Sequence, residues 1–409
     1  MSSELNIKSI SIDSFKSINY VDVDLGKVNV FIGENGAGKS NILEAIGVLS
    51  SAIDGSTHYS KLKDRGVRLS SPEVFKIAFR KIRRKPLFHL GVQFSNKVSY
   101  DVSLSPERND TGDKIRYWTE KLIVDGESIA SRSTRKIASI QDKEQFEIDD
   151  FASVLTAAHA LGVIEKSLLD KIDVLKSYAI YAPTTPVLRS IAPDESTKGT
   201  LGIYGGGLAT ALPHLYKGKS LTYVYHHMKK FFPWIEDFGR TSPTMNLISH
   251  YIHPERSVVA FIDSRMSKNF NKLLAYDVSE GVLYALFLLV LILHPATPKF
   301  FAIDNFESAL NPSLACKILE SSISLIKESD KQMLLTTHNP SVLNALDLFD
   351  EDQRLFVVER SSEDGSTTIR RINPAKFMTR EKWTELAQGQ PLSQLWTSGT
   401  MGGFPIFQG

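Results

Sequence analysis

The segment "GENGAGKS", residues 33–40, constrains this chain more than any other feature of its sequence. It fits the spacing G-x-x-x-x-G-K-[ST] of a phosphate-binding loop, between a predicted strand, "KVNVFI", and a predicted helix, "NILEAIGVL". The backbone N–H groups of such a loop cradle phosphate at a helix N-terminus. We predict that Lys39 reaches the β and γ oxygens of a triphosphate and that Ser40 binds Mg²⁺. The predicted nucleotide contacts in this segment are Asn35, Gly36, Ala37, Gly38, Lys39, Ser40 and Asn41.

Composition limits the size, charge and location of the protein only broadly. The 409 residues suggest about two or three compact units, and the net charge of +2 provides no bulk attraction for nucleic acid. The single cysteine, Cys316, cannot form an internal disulfide, which fits a reducing cytoplasm. The N-terminus has no apolar signal core, and the longest apolar run, residues 282–293, is too short to span a bilayer. We therefore expect a cytoplasmic protein that makes no membrane contact.

The order of predicted elements favours an α/β fold. Strand and helix patterns alternate at both ends of the chain, which predicts a mixed sheet core built from the two ends. The segment between them reads as an insertion, mainly helical and rich in loops, with "SPERNDTGDK" (105–114) as an exposed loop. We predict three segments, 1–103, 104–255 and 256–409, and a hairpin around residues 364–365 in the last of them.

Several distant residues suit the needs of a phosphate-binding loop. Asp304 follows the apolar strand "KFFAI" and can hold Mg²⁺ through water, while His338 follows the strand "QMLLTT". "VSEGVLYALFLL" places Ser279, Glu280 and Gly281 at the start of an apolar helix. Taken alone, Ser279 could be a plain helix cap, and His338 a surface residue before a helix.

Together these segments resemble the ABC-type ATPase domain. There a Ser-x-Gly signature opens a helix, an acid follows a strand and runs into a "SALD"-like loop, here residues 308–311, and a histidine follows the next strand. The stretches "FIGENGAGKSNILEAI" and "TTHNPSVLNAL" resemble the SMC/RecF/OLD-like branch, often described as AAA-type, more than transporter subunits. The resemblance covers about residues 5–52 and 275–346. It implies Mg-ATP binding, and two subunits enclosing two nucleotides, with Ser279, Glu280 and Gly281 facing the γ-phosphate on the other subunit's Lys39.

The acid motif departs from the family pattern at Asn305 and at Asn311, which replaces the Asp or His that usually closes the loop. Aligning "DNFESALN" with D-E-P-T-S-A-L-D places Asn305 where the family keeps the glutamate that polarises the attacking water. A neutral amide cannot accept a proton, and losing a general base costs about 10²–10⁴ in rate. Glu307 is the nearest substitute, although a related "EEPE" variant also carries a glutamate at that position. Slow hydrolysis is favoured, with Glu307-assisted turnover and no turnover as alternatives. The catalytic candidates are Asp304, Asn305, Glu307 and His338.

The resemblance also suggests partners. Short ATPases of this branch, as in Septu- and PARIS-like anti-phage systems, work with a separate effector such as a nuclease. A self-associating, ATP-dependent defence subunit is therefore the first hypothesis. The alternatives are a RecF- or SMC-like ATPase acting directly on DNA, and a non-hydrolysing, ATP-stabilised scaffold. A candidate nucleic-acid contact, otherwise a solvated helix or strand edge, comprises Arg80, Lys81, Arg83, Arg84 and Lys85.

Overall fold

The computed structural model describes residues 7–95, 97–109, 112–134, 136–141, 144–196, 199–215, 220–243, 247–249, 251–253 and 255–401. Within them the strands are β1 Ile7–Phe15, β2 Ile18–Asp24, β3 Val28–Ile32, β4 Phe88–Phe94, β5 Val98–Asn109, β6 Gly112–Val124, β7 Glu127–Thr134, β8 Ile137–Ile140, β9 Glu144–Glu147, β10 Ile180–Tyr181, β11 Ile235–Thr241, β12 Val258–Asp263, β13 Lys272–Leu274, β14 Phe300–Ile303, β15 Gln332–Thr337, β16 Gln353–Arg360 and β17 Thr367–Ile372. The helices are α1 Lys39–Ile53, α2 Tyr59–Lys63, α3 Pro72–Phe75, α4 Val154–Ala160, α5 Lys166–Lys176, α6 Thr185–Leu188, α7 Leu208–Leu215, α8 Ser220–Phe231, α9 Glu280–Leu293, α10 Pro312–Lys327, α11 Arg380–Leu386 and α12 Leu392–Thr397, with 3-10 turns at Pro340–Ala345 and Pro374–Lys376.

The central sheet joins the two ends of the chain in the order β10-β14-β15-β3-β16-β17. Its strands run parallel except for β17, which forms the predicted hairpin with β16. β3 and β14 are buried along their whole length, as expected for strands covered on both faces. Alternate residues enter two cores: Phe31 packs on the side of α1, and Val30 packs on the side of α9 and α10. The predicted α/β class with a mixed sheet is confirmed.

A second sheet covers α1 and is antiparallel, in the order β2-β1-β4-β5-β6-β7-β8-β9. The expected exposed loop at 105–114 is wrong, because β5 and β6 continue through most of it as a hairpin. Its charged residues pair across the strands, as Arg108 does with Asp113 at 2.8 Å between Nε and Oδ1. The first half of the predicted insertion therefore consists of strands rather than helices, and helices α4–α8 follow it. The three segment boundaries remain predictions.

A small third sheet, β11-β12-β13, leads into α9. Residues 282–292 of α9 are all buried, which agrees with the predicted core helix. None of the helices in the described ranges combines the length and apolar character that crossing a membrane requires.

Candidate nucleotide-binding site

The predicted site residues converge because three parallel strands end at one edge of the central sheet. β3 leads into the phosphate-binding loop, β14 ends one residue before Asp304, and β15 ends one residue before His338. Ligands of parallel α/β sheets bind at this carboxyl edge. A cavity of about 630 Å³ opens there, lined by Asn35, Gly36, Gly38, Lys39, Ser40, Asn41, Arg68, Asp304, Asn305, Thr336 and His338.

The loop has a backbone shape that depends on two glycines. Gly36 and Gly38 have φ of 81° and 109°, in the left-handed region that favours glycine. A side chain at Gly38 would also collide with the hydroxyls of Thr367 and Ser17. Thr367 Oγ1 in turn donates to the Ala37 carbonyl at 2.8 Å, so the β16–β17 hairpin supports the loop from behind.

Lys39, the first residue of α1, is held over the loop. Its Nζ donates to the carbonyl oxygens of Gly33 at 2.7 Å and Glu34 at 2.8 Å. Burial lowers the pKa of Lys39, while the nearby carboxylates of Asp304 and Glu307 act in the opposite direction. No acidic residue occupies the first turn of α1, so its N–H groups and dipole remain suited to an anion.

Ser40 and Asp304 form the oxygen pair that the sequence predicted for a metal. Ser40 Oγ donates to Asp304 Oδ2 at 2.9 Å, and Thr336 Oγ1 donates to Asp304 Oδ1. Hydroxyl and carboxylate oxygens, directly or through water, are the ligand types that suit Mg²⁺. The residues present therefore fit this ion.

Asn305 and Glu307 have opposite environments. Asn305 is exposed in the cavity with φ of 58°, and its N–H donates to Thr336 Oγ1 at 2.8 Å. Glu307 is buried and does not line the cavity. Its Oε1 accepts the backbone N–H groups of His338 at 2.8 Å and Asn339 at 3.1 Å. The Glu307 carboxylate is thus engaged in shaping the turn after β15.

His338 lies between this turn and the cavity. Its side chain is half-exposed, and its Nδ1 is 2.9 Å from Glu307 Oε1. The contact at Nδ1 leaves Nε2 as the ring nitrogen available to a ligand.

The signature residues lie outside the cavity. Ser279 precedes α9 at the N-cap position, as the plain-cap interpretation predicted. Its side chain, however, makes no capping hydrogen bond, so it does not act as a cap. Ser279 and Glu280 are both exposed, and Glu280 accepts a hydrogen bond from Thr185. Gly281 packs close to the Ala309 carbonyl. The structure therefore does not bring these three residues to Lys39 of the same chain.

Sequence reasoning missed Arg68, which also lines the cavity. Its Nη2 donates to Asn41 Oδ1 at 3.1 Å, and its Nε is paired with the buried carboxylate of Glu44. Arg68 belongs to no motif. The only signal in the sequence was a basic residue in the loop after α2.

A second cavity, of about 530 Å³, adjoins the first and was also missed. The two share Asn41 and Arg68. The other lining residues are Lys16, Ser17, Ser70, Glu73, Val74, Lys76, Ala78, Phe79, Arg84 and Arg360.

The structure separates the predicted basic patch into paired and exposed residues. It lies in the loop between α3 and β4, so the interpretation as a helix or strand edge is wrong. Arg84 pairs with Glu73, and Lys85 pairs with Asp13 at 2.9 Å. The remaining three basic residues, Arg80, Lys81 and Arg83, are exposed.

Comparisons with known proteins agree with this geometry. A family model described as "AAA ATPase domain" matches residues 6–172, and one described as "AAA domain, putative AbiEii toxin, Type IV TA system" matches residues 205–344. The structure resembles an SMC head bound to the C-winged helix domain of ScpA, with a TM-score of 0.50, 13% identity and coverage of 90% of this chain and 98% of that one. The fold is that of an SMC head.

A second solved SMC head, from Pyrococcus furiosus and bound to the C-terminal domain of ScpA, also has a TM-score of 0.50, at 12% identity. It covers 94% of this chain and 98% of that one. The DNA replication and repair protein RecF of Heliobacterium modesticaldum is 32% identical over 93 residues, or 20% of this chain. The match spans only 25% of that relative's length. Together the comparisons show similarity to AAA ATPase domain models over two parts of the chain, and the fold of an SMC head.

Proposed function

We propose that this chain binds Mg-ATP in the cavity, hydrolyses it slowly, dimerises around it and controls a separate effector protein in anti-phage defence. One observation carries the proposal. Lys39, Ser40 and Asp304 meet in a single cavity, while a neutral residue, Asn305, occupies the family's position for the catalytic base.

Binding follows from the charge and the donors of the cavity. A triphosphate offers Lys39 ionised acceptors in place of the two neutral loop carbonyls that its ammonium group now contacts, and the opposite charges attract each other. The loop amides and the start of α1 would take the β-phosphate. Mg²⁺, held by Ser40 and Asp304, would neutralise charge on the β and γ oxygens. The nucleoside would extend into the second cavity, past Asn41 and Arg68.

Slow turnover follows from the positions of the two candidate bases. The Asn305 amide is in the cavity, where it can orient water but cannot accept a proton. Glu307 could accept a proton, but it is buried, and its Oε1 is engaged by two backbone N–H groups. This arrangement favours slow hydrolysis over Glu307-assisted turnover.

Dimerisation is supported by the exposure of the signature segment. Ser279 and the first turn of α9 face solvent without a capping bond, although a helix N-terminus favours an anion. A second copy could bring its nucleotide to this surface.

The effector role rests on the likeness to defence ATPases, and one matching family model carries a toxin–antitoxin description. The solved SMC heads are bound to a domain of another protein, ScpA.

A second candidate is an ATPase that acts directly on DNA. It is favoured by the similarity to a DNA replication and repair protein and by the exposed Arg80, Lys81 and Arg83 beside the second cavity. Cations of this kind attract a phosphate backbone.

Copurification from the native host separates the two candidates. We expect the tagged chain, held in Mg-ATP, to retain one stoichiometric protein partner after nuclease treatment. Retention of nucleic acid without such a partner would favour the DNA-acting ATPase. Phosphate release measured on the same sample tests turnover, and its complete absence with ATP bound would indicate a non-hydrolysing scaffold.

A further inference from the structure

We propose that Glu73 and Arg84 together recognise the edge of a purine base, and that they let the site accept guanine as well as adenine. The inference rests on the proposed function, because it assigns the second cavity to the nucleoside of the bound nucleotide. It concerns base specificity, which neither the phosphate-binding loop nor the Mg²⁺ pair determines.

The position of the pair follows from the two cavities. The loop fixes the triphosphate in the first cavity, and the second opens from it past Asn41 and Arg68. Glu73 and Arg84 line the second cavity and not the first, whereas Lys39 lines the first and not the second. A nucleoside attached to phosphates on Lys39 would therefore point its base toward the pair.

The walls of the second cavity suit a planar ring. Val74, Ala78 and Phe79 contribute apolar surface. The Arg360 guanidinium lies 4.9 Å from the Phe79 ring centroid, and its Nη1 donates to the Gly36 carbonyl at 3.3 Å. This contact ties the aromatic wall to the phosphate-binding loop, so the base and phosphate subsites are held in one frame. Apolar walls with few polar groups are typical of small-molecule sites.

The polar groups of the pair are complementary to a purine. Arg84 Nη2 donates to Glu73 Oε2, and Lys76 Nζ lies 3.5 Å from Glu73 Oε1. Lys76 and Arg84 lower the pKa of Glu73, so the carboxylate is ionised at neutral pH. An ionised carboxylate only accepts hydrogen bonds, and a guanidinium only donates them. Both purines offer donors and acceptors on one edge, so each can use both partners.

Guanine can use the pair more fully than adenine. Arginine donates to O6 and N7 of guanine in a bidentate arrangement. The N1–H and N2–H groups of guanine can donate to the Glu73 carboxylate, whereas adenine has only its N6 amino group to donate. A pyrimidine ring is smaller and would reach the pair poorly. The alternative role for Arg84, a contact to a nucleic-acid phosphate, is disfavoured because the adjacent carboxylate of Glu73 repels phosphate.

Calorimetric titration of the full chain with Mg²⁺ and ATP, GTP or CTP tests the proposal. We expect the unmodified chain to bind both purine nucleotides within about fivefold of each other, and CTP at least about tenfold more weakly. Because arginine can make a bidentate contact to guanine but not to adenine, Arg84→Ala should weaken GTP binding about tenfold or more and ATP binding much less. Glu73→Ala should reduce the preference for purines over CTP.

Arg83→Ala is the matched control, because Arg83 is an exposed neighbour that does not line the cavity. It should leave every affinity ratio unchanged. If Arg84→Ala and Glu73→Ala also leave the ratios within twofold of the parent, the proposal is overturned while ATP binding stands. If the parent binds no nucleotide, both the proposed function and this inference fail.

Discussion

The phosphate-binding loop and the signature segment are the two predicted halves of one nucleotide site, but the fold treats them differently. The end of the loop packs against distant parts of the chain: Gly38 lies against Thr367, and Ser40 contacts Asp304. The signature is exposed, with no capping bond from Ser279 and no residue in the cavity. One chain thus assembles the part that is predicted to bind phosphate and presents the other part to solvent. Variants in each half should separate binding from turnover.

The largest effect on nucleotide binding is expected in the phosphate-binding loop. Lys39→Ala removes the only lysine among the described residues that line the cavity, and hydrogen bonds to charged groups contribute about 1.5–3 kcal/mol each. With two such bonds to phosphate lost, Mg-ATP should bind at least about 100-fold more weakly in calorimetry. Lys63→Ala is the control, since this partly exposed lysine pairs with Glu195 and does not line the cavity. Unchanged affinity of the Lys39 variant would contradict the loop assignment.

In the exposed half, we expect turnover and binding to separate. Ser279→Arg places a long side chain where a second copy would approach, without touching Lys39. ATP-dependent dimerisation in light scattering and phosphate release should be lost, while calorimetry still detects ATP binding to the single chain. Ser267→Arg, in another exposed turn, should leave all three unchanged. A parent chain that stays monomeric at every concentration, with and without ATP, would count against this interpretation.

A third test concerns Glu307, which connects the loop after Asp304 to the turn that carries His338. Glu307→Ala leaves two backbone N–H groups without their acceptor, so the free energy of unfolding should fall by about 1–3 kcal/mol. Glu307→Gln retains an acceptor oxygen and should lose little stability. Its turnover should fall far less than the roughly 10²-fold expected for loss of a general base. Thermal melts and phosphate release of the two variants provide the measurements.

The smallest expected effect is an increase in the rate of ATP turnover. Asn305→Glu restores a carboxylate to the cavity and should raise ATP turnover several-fold, with loss of biological function because the ATP-bound state is shortened. The gain is limited, since the left-handed φ of 58° costs about 1–2 kcal/mol for glutamate but is tolerated by asparagine or aspartate. Asn305→Asp is the variant to compare with it, because aspartate places the same carboxylate on a side chain that is one methylene shorter. If Glu307→Gln abolishes turnover and Asn305→Glu adds nothing, the chain is an ordinary hydrolase with a shifted acid.

The sequence by itself determined the elements whose signals are local. Gly33 and Gly38 at their fixed spacing, between an apolar strand and a helix, predicted a phosphate-binding loop because backbone shape and helix start are set by neighbouring residues. The apolar run of α9 and the alternation of strands and helices likewise predicted a buried helix and a central sheet, both of which the structure has.

Only the tertiary structure decided which side chains meet. The segment 105–114 appeared loop-like because its charges are paired across strands, and pairing partners are not visible in a linear pattern. Glu307 resembled an available base until the turn after β15, about thirty residues later in the chain, was seen to use its carboxylate. Arg68 and Glu73 belong to no motif, and Arg84 was predicted only as part of a basic patch. They line the two cavities because the fold brings segments that are distant in the sequence beside Asn41 at the start of α1. Such contacts depend on the packing of segments that are far apart in sequence, which no local pattern encodes.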